Sequence, residues 1–81
     1  MRVLVKFWSY FRDLTKCESI DTHLADGATL GELHVAVMEQ FPKLSEMQKS
    51  TLKAVGVDYQ SDDFVLSDGD EVSLFPPVQG G

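Results

Sequence analysis

One segment, DGATLGELHVAVMEQFP at positions 26–42, has the clearest helical pattern in the sequence and most constrains the fold. Thr29 and Glu32 form a T-x-x-E capping box, in which each side chain satisfies the other residue's free backbone N–H. The apolar residues then recur at helical spacing, and Pro42 ends the run. These residues are Leu30, Leu33, Val37 and Phe41. The pattern predicts a helix with one face to bury against another layer.

Much of the remaining sequence alternates between apolar and polar residues, as β-strands do. The predicted strands are RVLVKFW at 2–8, SIDTHL at 19–24, LKAVGV at 52–57, FVL at 64–66 and EVSLF at 71–75. A short helical turn is predicted over SYFRDLTK, and DYQSDD and SDGD are read as turns. The order is β-(short helix)-β-α-β-β-β, which predicts an α+β fold with one main helix packed across one small sheet.

The charge of the chain is uneven along its length. The formal net charge is −6, and no lysine or arginine follows Lys53, whereas six acidic residues do. Nucleic-acid binding draws most of its affinity from basic side chains, so we expect no nucleic-acid partner. A partner that receives the C-terminal end is expected to present basic groups. The alternative is a solvated acidic surface that aids solubility.

Cysteine content and hydropathy indicate the compartment. Cys17 is the single cysteine among 81 residues and cannot form an internal disulfide. No stretch approaches the roughly 20 apolar residues needed to span a bilayer, and the first residues do not resemble a signal peptide. We therefore expect a cytoplasmic protein with no membrane association.

The last seven residues, FPPVQGG, form a tail that should leave the folded body. Pro76 and Pro77 lack the N–H that a sheet needs, which predicts a domain over 1–75 and an extended tail over 76–81. From Phe75 the tail could project roughly 20 Å. Gly80 and Gly81 have no side chains and would pass through a narrow channel. A glycine-rich terminus without a function is the alternative.

The terminal group of such a tail is the α-carboxylate of Gly81. A carboxylate is a poor electrophile at neutral pH, so covalent use of it requires activation, most directly by ATP to an acyl-adenylate. The tail is therefore interpreted as a delivery arm that ends in a reactive carbonyl.

The segment LSDGDEVSLFPPVQGG at 66–81 resembles the C-terminal signature of the small subunit of molybdopterin synthase, a ubiquitin-like β-grasp sulfur carrier. Weaker similarity continues through YFRDL, ATLGEL and LKAVGVDY, so that the resemblance covers essentially the whole chain. This resemblance implies a mixed sheet of about five strands. Where the family often has asparagine, this chain has Gly56, and both residues tolerate the left-handed backbone of a turn.

The resemblance also implies a function and its partners. An activating enzyme of the ubiquitin-activating type would use ATP to adenylate Gly81, which would then become a thiocarboxylate. The tail would enter the large subunit of the synthase, which supplies the catalytic residues, in a heterotetramer of two small and two large subunits. Two carriers in turn would supply the dithiolene sulfurs of molybdopterin from cyclic pyranopterin monophosphate. The small subunit would be non-catalytic by itself and would bind no cofactor or metal.

The same resemblance implies which residues meet the partner. The strand before the tail would contact the large subunit, and the tail would enter its active site. The partner-binding residues would be Phe75, Pro76, Pro77, Val78, Gln79 and Gly80, ahead of the reactive Gly81.

Other readings of the tail remain open. The carrier could serve thiamin thiazole or tRNA thiolation, or the chain could be a protein modifier joined through Gly81 to a lysine. A non-covalent interaction module with a docking tail is a further alternative.

Two other groups of residues invite a functional reading. Cys17, His23 and His34 match no metal or nucleophile spacing, and we expect an ordinary thiol and two boundary histidines. Phe7, Trp8 and Leu74 could form an exposed patch for a protein partner, or could be buried under loops.

Overall fold

The computed structural model describes residues 1–77, so Val78, Gln79, Gly80 and Gly81 lie outside the described part of the chain. Its strands are β1 (Arg2–Phe7), β2 (Ser19–His23), β3 (Leu52–Val55), β4 (Asp58–Tyr59) and β5 (Glu71–Phe75). Its helices are α1 (Phe11–Thr15), α2 (Leu30–Gln40) and a 3₁₀ helix at Pro42–Ser50. None of these helices is long and apolar enough to cross a membrane.

The five strands form one mixed sheet in the order β2-β1-β5-β3-β4. The central pair, β1 and β5, is parallel, with Val5 beside Val72 and Phe7 beside Leu74. The other neighbouring strands are antiparallel. The prediction of an α+β β-grasp fold, with about five strands and one main helix, is confirmed.

The hydrophobic core lies between α2 and the inner face of the sheet. It contains Val3, Val5, Phe7, Val72 and Leu74 from the sheet, Leu30, Leu33, Val37 and Met38 from α2, and Phe11, Leu44 and Leu66 from the connecting segments. Because side chains alternate across a strand, the residues between these positions point to the outer face of the sheet. Each of the three helices contributes at least one residue to the core on the inner side, including Phe11 from α1 and Leu44 from the 3₁₀ helix.

The α2 capping box predicted from the sequence is present. The Glu32 N–H donates to Thr29 Oγ1 at 3.2 Å, and the Thr29 N–H donates to Glu32 Oε1 at 3.1 Å. Two further N–H groups of the first turn donate to carbonyl groups of the loop that precedes Val65. The Leu30 N–H donates to the Phe64 carbonyl, and the Gly31 N–H donates to the Asp62 carbonyl. The helix N-terminus is thus fixed to this loop.

The prediction of a strand at 64–66 is wrong. Val65 forms only an isolated bridge with Thr29, because the neighbouring backbone groups hydrogen-bond to Leu30 and Ala28 at the start of α2. The sequence analysis did not predict β4, because it interpreted that segment as a turn. Gly56 has φ 60° at the first position of the two-residue β3–β4 turn, a place where glycine is favoured, and the expected left-handed conformation is confirmed.

Candidate functional site

Three aromatic side chains meet on the outer face of the sheet where the tail begins. The rings of Trp8 and Phe75 are stacked with centroids 5.6 Å apart and planes 14° apart. Tyr59 approaches the Phe75 ring edge-on at 6.3 Å. We call Trp8, Leu52, Tyr59 and Phe75 the aromatic patch.

The register of the sheet brings these four residues together. Trp8 follows β1 directly, and its N–H donates to the Leu74 carbonyl at 3.2 Å, which extends the parallel pairing beyond Phe7. Leu52 at the start of β3 is the partner of Phe75 at the end of β5. Tyr59 pairs with Ala54, two positions along β3 from Leu52, and so points to the same face.

The aromatic patch is more exposed than large apolar side chains usually are. Trp8 is 41% exposed, Leu52 37% and Tyr59 68%, whereas Phe75 is half-buried between its aromatic neighbours. Contiguous apolar side chains at a surface mark interaction sites, and Trp and Tyr combine a large apolar body with a polar tip. The patch has the character of a protein-docking surface.

The tail predicted over residues 76–81 begins directly after this patch. Pro76 and Pro77 follow Phe75 directly, and both are half-buried. The other residues predicted to meet the partner or to react, Val78, Gln79, Gly80 and Gly81, lie outside the described residues. The structure therefore places Phe75, the residue before the predicted tail, in the aromatic patch. The roles predicted for the last four residues stay predictions.

The patch predicted from the sequence is only partly correct. Trp8 is exposed, but Phe7 is 2% exposed and Leu74 0%, because both point into the core. Sequence reasoning missed Leu52 and Tyr59 as members. The alternating pattern of LKAV could have placed Leu52 on the outer face of its strand. Tyr59 could have been placed there only if the β3–β4 hairpin had been predicted.

Charged residues flank the patch beside Trp8. A cleft of about 220 Å³ lies there, and Lys6, Arg12 and Glu18 contribute to its lining. Lys6 Nζ forms an ion pair with Glu71 Oε1 at 2.8 Å on the outer face. The edge of the patch thus carries charges of both signs, suited to orienting a charged partner.

The remaining candidate residues lie apart from the patch. Cys17 is a half-buried free thiol, and His23 is exposed at the end of β2. His34 is only 3% exposed in α2. The pKa of His34 is lowered to about 4, mainly by burial and also by the nearby charge of Lys53, against the opposite effect of Asp62. Within residues 1–77, no group of three or more His, Cys, Asp or Glu side chains is placed to hold a metal ion.

Comparison with known proteins gives concordant matches along the chain. The model of the ThiS family matches residues 5–81. An Aedes aegypti protein named molybdopterin synthase sulfur carrier subunit is 32% identical, over 100% of this chain and 90% of that protein.

Two solved structures share the fold, and each is 30% identical to this chain. A Pyrococcus furiosus chain, provisionally identified as molybdopterin converting factor subunit 1, is 30% identical with a TM-score of 0.88, over 96% of this chain and 99% of that one. A chain from the Helicobacter pylori complex of subunits 1 and 2 of molybdopterin-converting factor is also 30% identical, with a TM-score of 0.69 and complete coverage of both chains.

Proposed function

The chain belongs to the ThiS family, and from this premise we propose that it carries sulfur on Gly81 as the small subunit of molybdopterin synthase. The observation that carries the proposal is the match at 32% identity, over the whole chain, to a molybdopterin synthase sulfur carrier subunit. The aromatic patch at the root of the tail supports it, since a carrier must dock before its tail can deliver.

In the proposed chemistry, the Gly81 carboxylate attacks the α-phosphorus of ATP on an adenylating enzyme and releases pyrophosphate. A hydrosulfide equivalent from a sulfur donor then displaces AMP and leaves a thiocarboxylate. This sulfur is transferred to cyclic pyranopterin monophosphate, and water restores the carboxylate. Two such cycles supply the two sulfurs of the dithiolene.

The proposed docking mode divides the work between the patch and the tail. The aromatic patch packs against the large subunit, and the tail beyond Phe75 enters the partner's active site, where the catalytic residues lie. Phe75 joins the two, because its ring is held by Trp8 and Tyr59 while its backbone leads into Pro76. The H. pylori complex of subunits 1 and 2 supports an assembly of this kind, and we propose a heterotetramer.

Deletion of Gly81 tests the proposal. The variant is expected to fold like the wild type and to bind the cognate large subunit through the aromatic patch, but to form no dithiolene product when the adenylating enzyme, ATP, a sulfur source and the pterin substrate are supplied. Val57→Ser is the control, since this side chain is 97% exposed in the β3–β4 turn and is not a member of the aromatic patch. Full product formation by the deletion variant would contradict the proposal.

A further inference from the structure

A hydrogen bond to a methionine sulfur joins the segment after Trp8 to the 3₁₀ helix. The Tyr10 hydroxyl donates to Met47 Sδ at 3.3 Å. Both side chains are half-buried, and both pack against the edge of the core. Within residues 1–77, no other side-chain hydrogen bond joins the two elements. We call this pair the thioether contact.

The thioether contact is one of few interactions that hold α1 in place. This helix has five residues, whereas isolated helices shorter than about 12–15 residues are marginal in water. No side chain caps its start, and the flanking Ser9 and Lys16 have left-handed φ values of 56° and 62°, which residues other than glycine rarely adopt. The position of α1 therefore depends on its tertiary contacts, which are Phe11 in the core and the thioether contact.

The 3₁₀ helix is interrupted at the same residue. Met47 has φ −111° and ψ 18°, which is non-helical, within an element of nine residues. Runs of 3₁₀ helix longer than a few residues are uncommon because their hydrogen-bond geometry is poor. The Met47 side chain thus lies at a break between two short helical runs, where a small shift disrupts no regular helix.

The segment held by the thioether contact begins at the aromatic patch. Trp8 precedes Tyr10 by two residues, and the Phe11 N–H donates to the Trp8 carbonyl at 3.2 Å across this turn. The Trp8 ring stacks on Phe75 on the outer face. A displacement of Tyr10 therefore moves the backbone that positions Trp8 in the patch.

Met47 is the methionine whose oxidation would alter this contact. Met38 is 8% exposed in the core, whereas Met47 is half-buried. A peroxide transfers one oxygen atom to the sulfur. The S–O bond forms as the O–O bond breaks, so the sulfur loses two electrons and hydrogen peroxide is reduced to water. The sulfoxide is larger and more polar than the thioether, so at a half-buried contact it must displace its neighbour or turn towards solvent. Either movement ends the thioether contact.

From these features we propose that Met47 is a redox-sensitive site, whose oxidation to the sulfoxide by a peroxide releases α1 and displaces Trp8 from the aromatic patch. The effect on Trp8 in the free chain does not depend on sulfur transfer. The consequence for binding rests on the proposed function, in which the patch docks on the large subunit. Since methionine sulfoxide can be reduced enzymatically, the change is reversible.

The test follows the fluorescence of Trp8, the single tryptophan, in the full chain before and after treatment with hydrogen peroxide. Dithiothreitol added afterwards restores reversibly oxidised Cys17, and peptide mass spectrometry locates the remaining oxygen. We expect one oxygen on Met47 and stronger quenching of Trp8 by acrylamide. Affinity for the cognate large subunit should fall roughly three- to tenfold, the population shift that loss of one hydrogen bond can cause. A methionine sulfoxide reductase should restore both signals.

Two variants serve as matched controls. Met47→Leu keeps the apolar bulk but cannot form the sulfoxide, so peroxide should leave its Trp8 quenching unchanged. Tyr10→Phe keeps the edge-on contact with the Phe11 ring at 5.6 Å and lacks only the donor, so its Trp8 should be quenched more strongly without peroxide.

Three results would overturn the proposal: Met47 that stays unoxidised while Met38 reacts, unchanged Trp8 quenching once Met47 is oxidised, or an equal response to peroxide in Met47→Leu. Failure of the proposed function would give a different result. Stronger quenching of Trp8 with unchanged affinity for the large subunit would support the redox-sensitive site and count against docking through the aromatic patch.

Discussion

His34 is a buried histidine held neutral by its surroundings. Its ring is 3% exposed, and the charged groups that act on it are Lys53 and Asp62, which pair with each other. The pKa of His34 is about 4 in the folded chain, below the ordinary value of 6.5. The unfolded chain therefore binds a proton more readily than the folded chain between these two values.

This difference predicts a stability that depends on pH. Folding stability should be complete above pH 6.5 and should fall as the pH is lowered towards 4, by about 3 kcal/mol in total. His34→Gln should flatten this slope, measured as the free energy of unfolding by denaturant titration at several pH values. His23→Gln, an exposed control on β2, should keep it. Equal slopes for His34→Gln and the wild type would contradict the assignment.

Gly31 is required by a close contact. A Cβ at this position would lie 2.9 Å from Asp62 Cβ and 3.2 Å from the Asp62 carbonyl oxygen. Gly31→Ala should therefore push the loop away and destabilise the fold by about 1–2 kcal/mol, although alanine is otherwise the better helix former. Thermal unfolding measures this, with Gln40→Ala on an exposed position of α2 as the near-neutral control. A Gly31→Ala variant with a higher unfolding temperature than the wild type would show that the contact with Asp62 does not require glycine at this position.

At the level of elements, β5 links the core to the proposed partner. Its inner side chains, Val72 and Leu74, are fully buried. Its last residue, Phe75, lies between Trp8 and Tyr59 on the outer face. The same strand thus contributes to the core and ends directly before the predicted tail. Changes on its outer side should therefore alter binding more than folding.

Trp8→Ala tests the docking role of the aromatic patch around Phe75. Because Trp8 is a large, exposed aromatic at the patch, its loss should weaken binding of the cognate large subunit by about 2 kcal/mol or more, the range of interface hot spots. Titration calorimetry measures the affinity, and circular dichroism should show an intact fold. Val35→Ala removes an exposed apolar side chain outside the patch and should leave this affinity unchanged. Wild-type affinity for Trp8→Ala would rule out the patch as the docking surface.

Elements with strong local signals were predictable, whereas those set by tertiary pairing were not. The α2 capping box and the alternation in β1 are properties of adjacent residues, and the structure has both. The segment around Val65 has strand-like residues, but its backbone binds the start of α2 instead of the sheet. Asp58 and Tyr59 form β4 only because Gly56 reverses the chain next to β3.

For the molecule as a whole, the predicted tail follows the core in sequence. Among residues 1–77, the last member of the buried core is Leu74. A chain that ends at Pro77 should therefore unfold at the same temperature as the full chain, within a degree or two, and should lose all sulfur transfer. A large drop in the unfolding temperature would show that the tail contributes to the fold, contrary to the predicted boundary after residue 75.

The candidate site was predictable in part, because some of its residues are contiguous in sequence and others come together only in the folded sheet. The tail is contiguous in sequence, so its prolines and glycines could be interpreted directly. The aromatic patch joins residues from four strands or strand ends, and only the sheet register brings Trp8, Leu52 and Tyr59 next to Phe75.

The central claim is that sulfur is carried on Gly81, and the most direct test is the intact mass of the protein after incubation with its adenylating enzyme, ATP and a sulfur source. Tandem fragmentation of the C-terminal peptide locates the change. The account predicts that one oxygen of the Gly81 carboxylate is replaced by sulfur, and that the replacement is reversed on addition of the large subunit and pterin substrate. An unmodified Gly81 under these conditions, with the adenylating enzyme active on a known carrier, would contradict it.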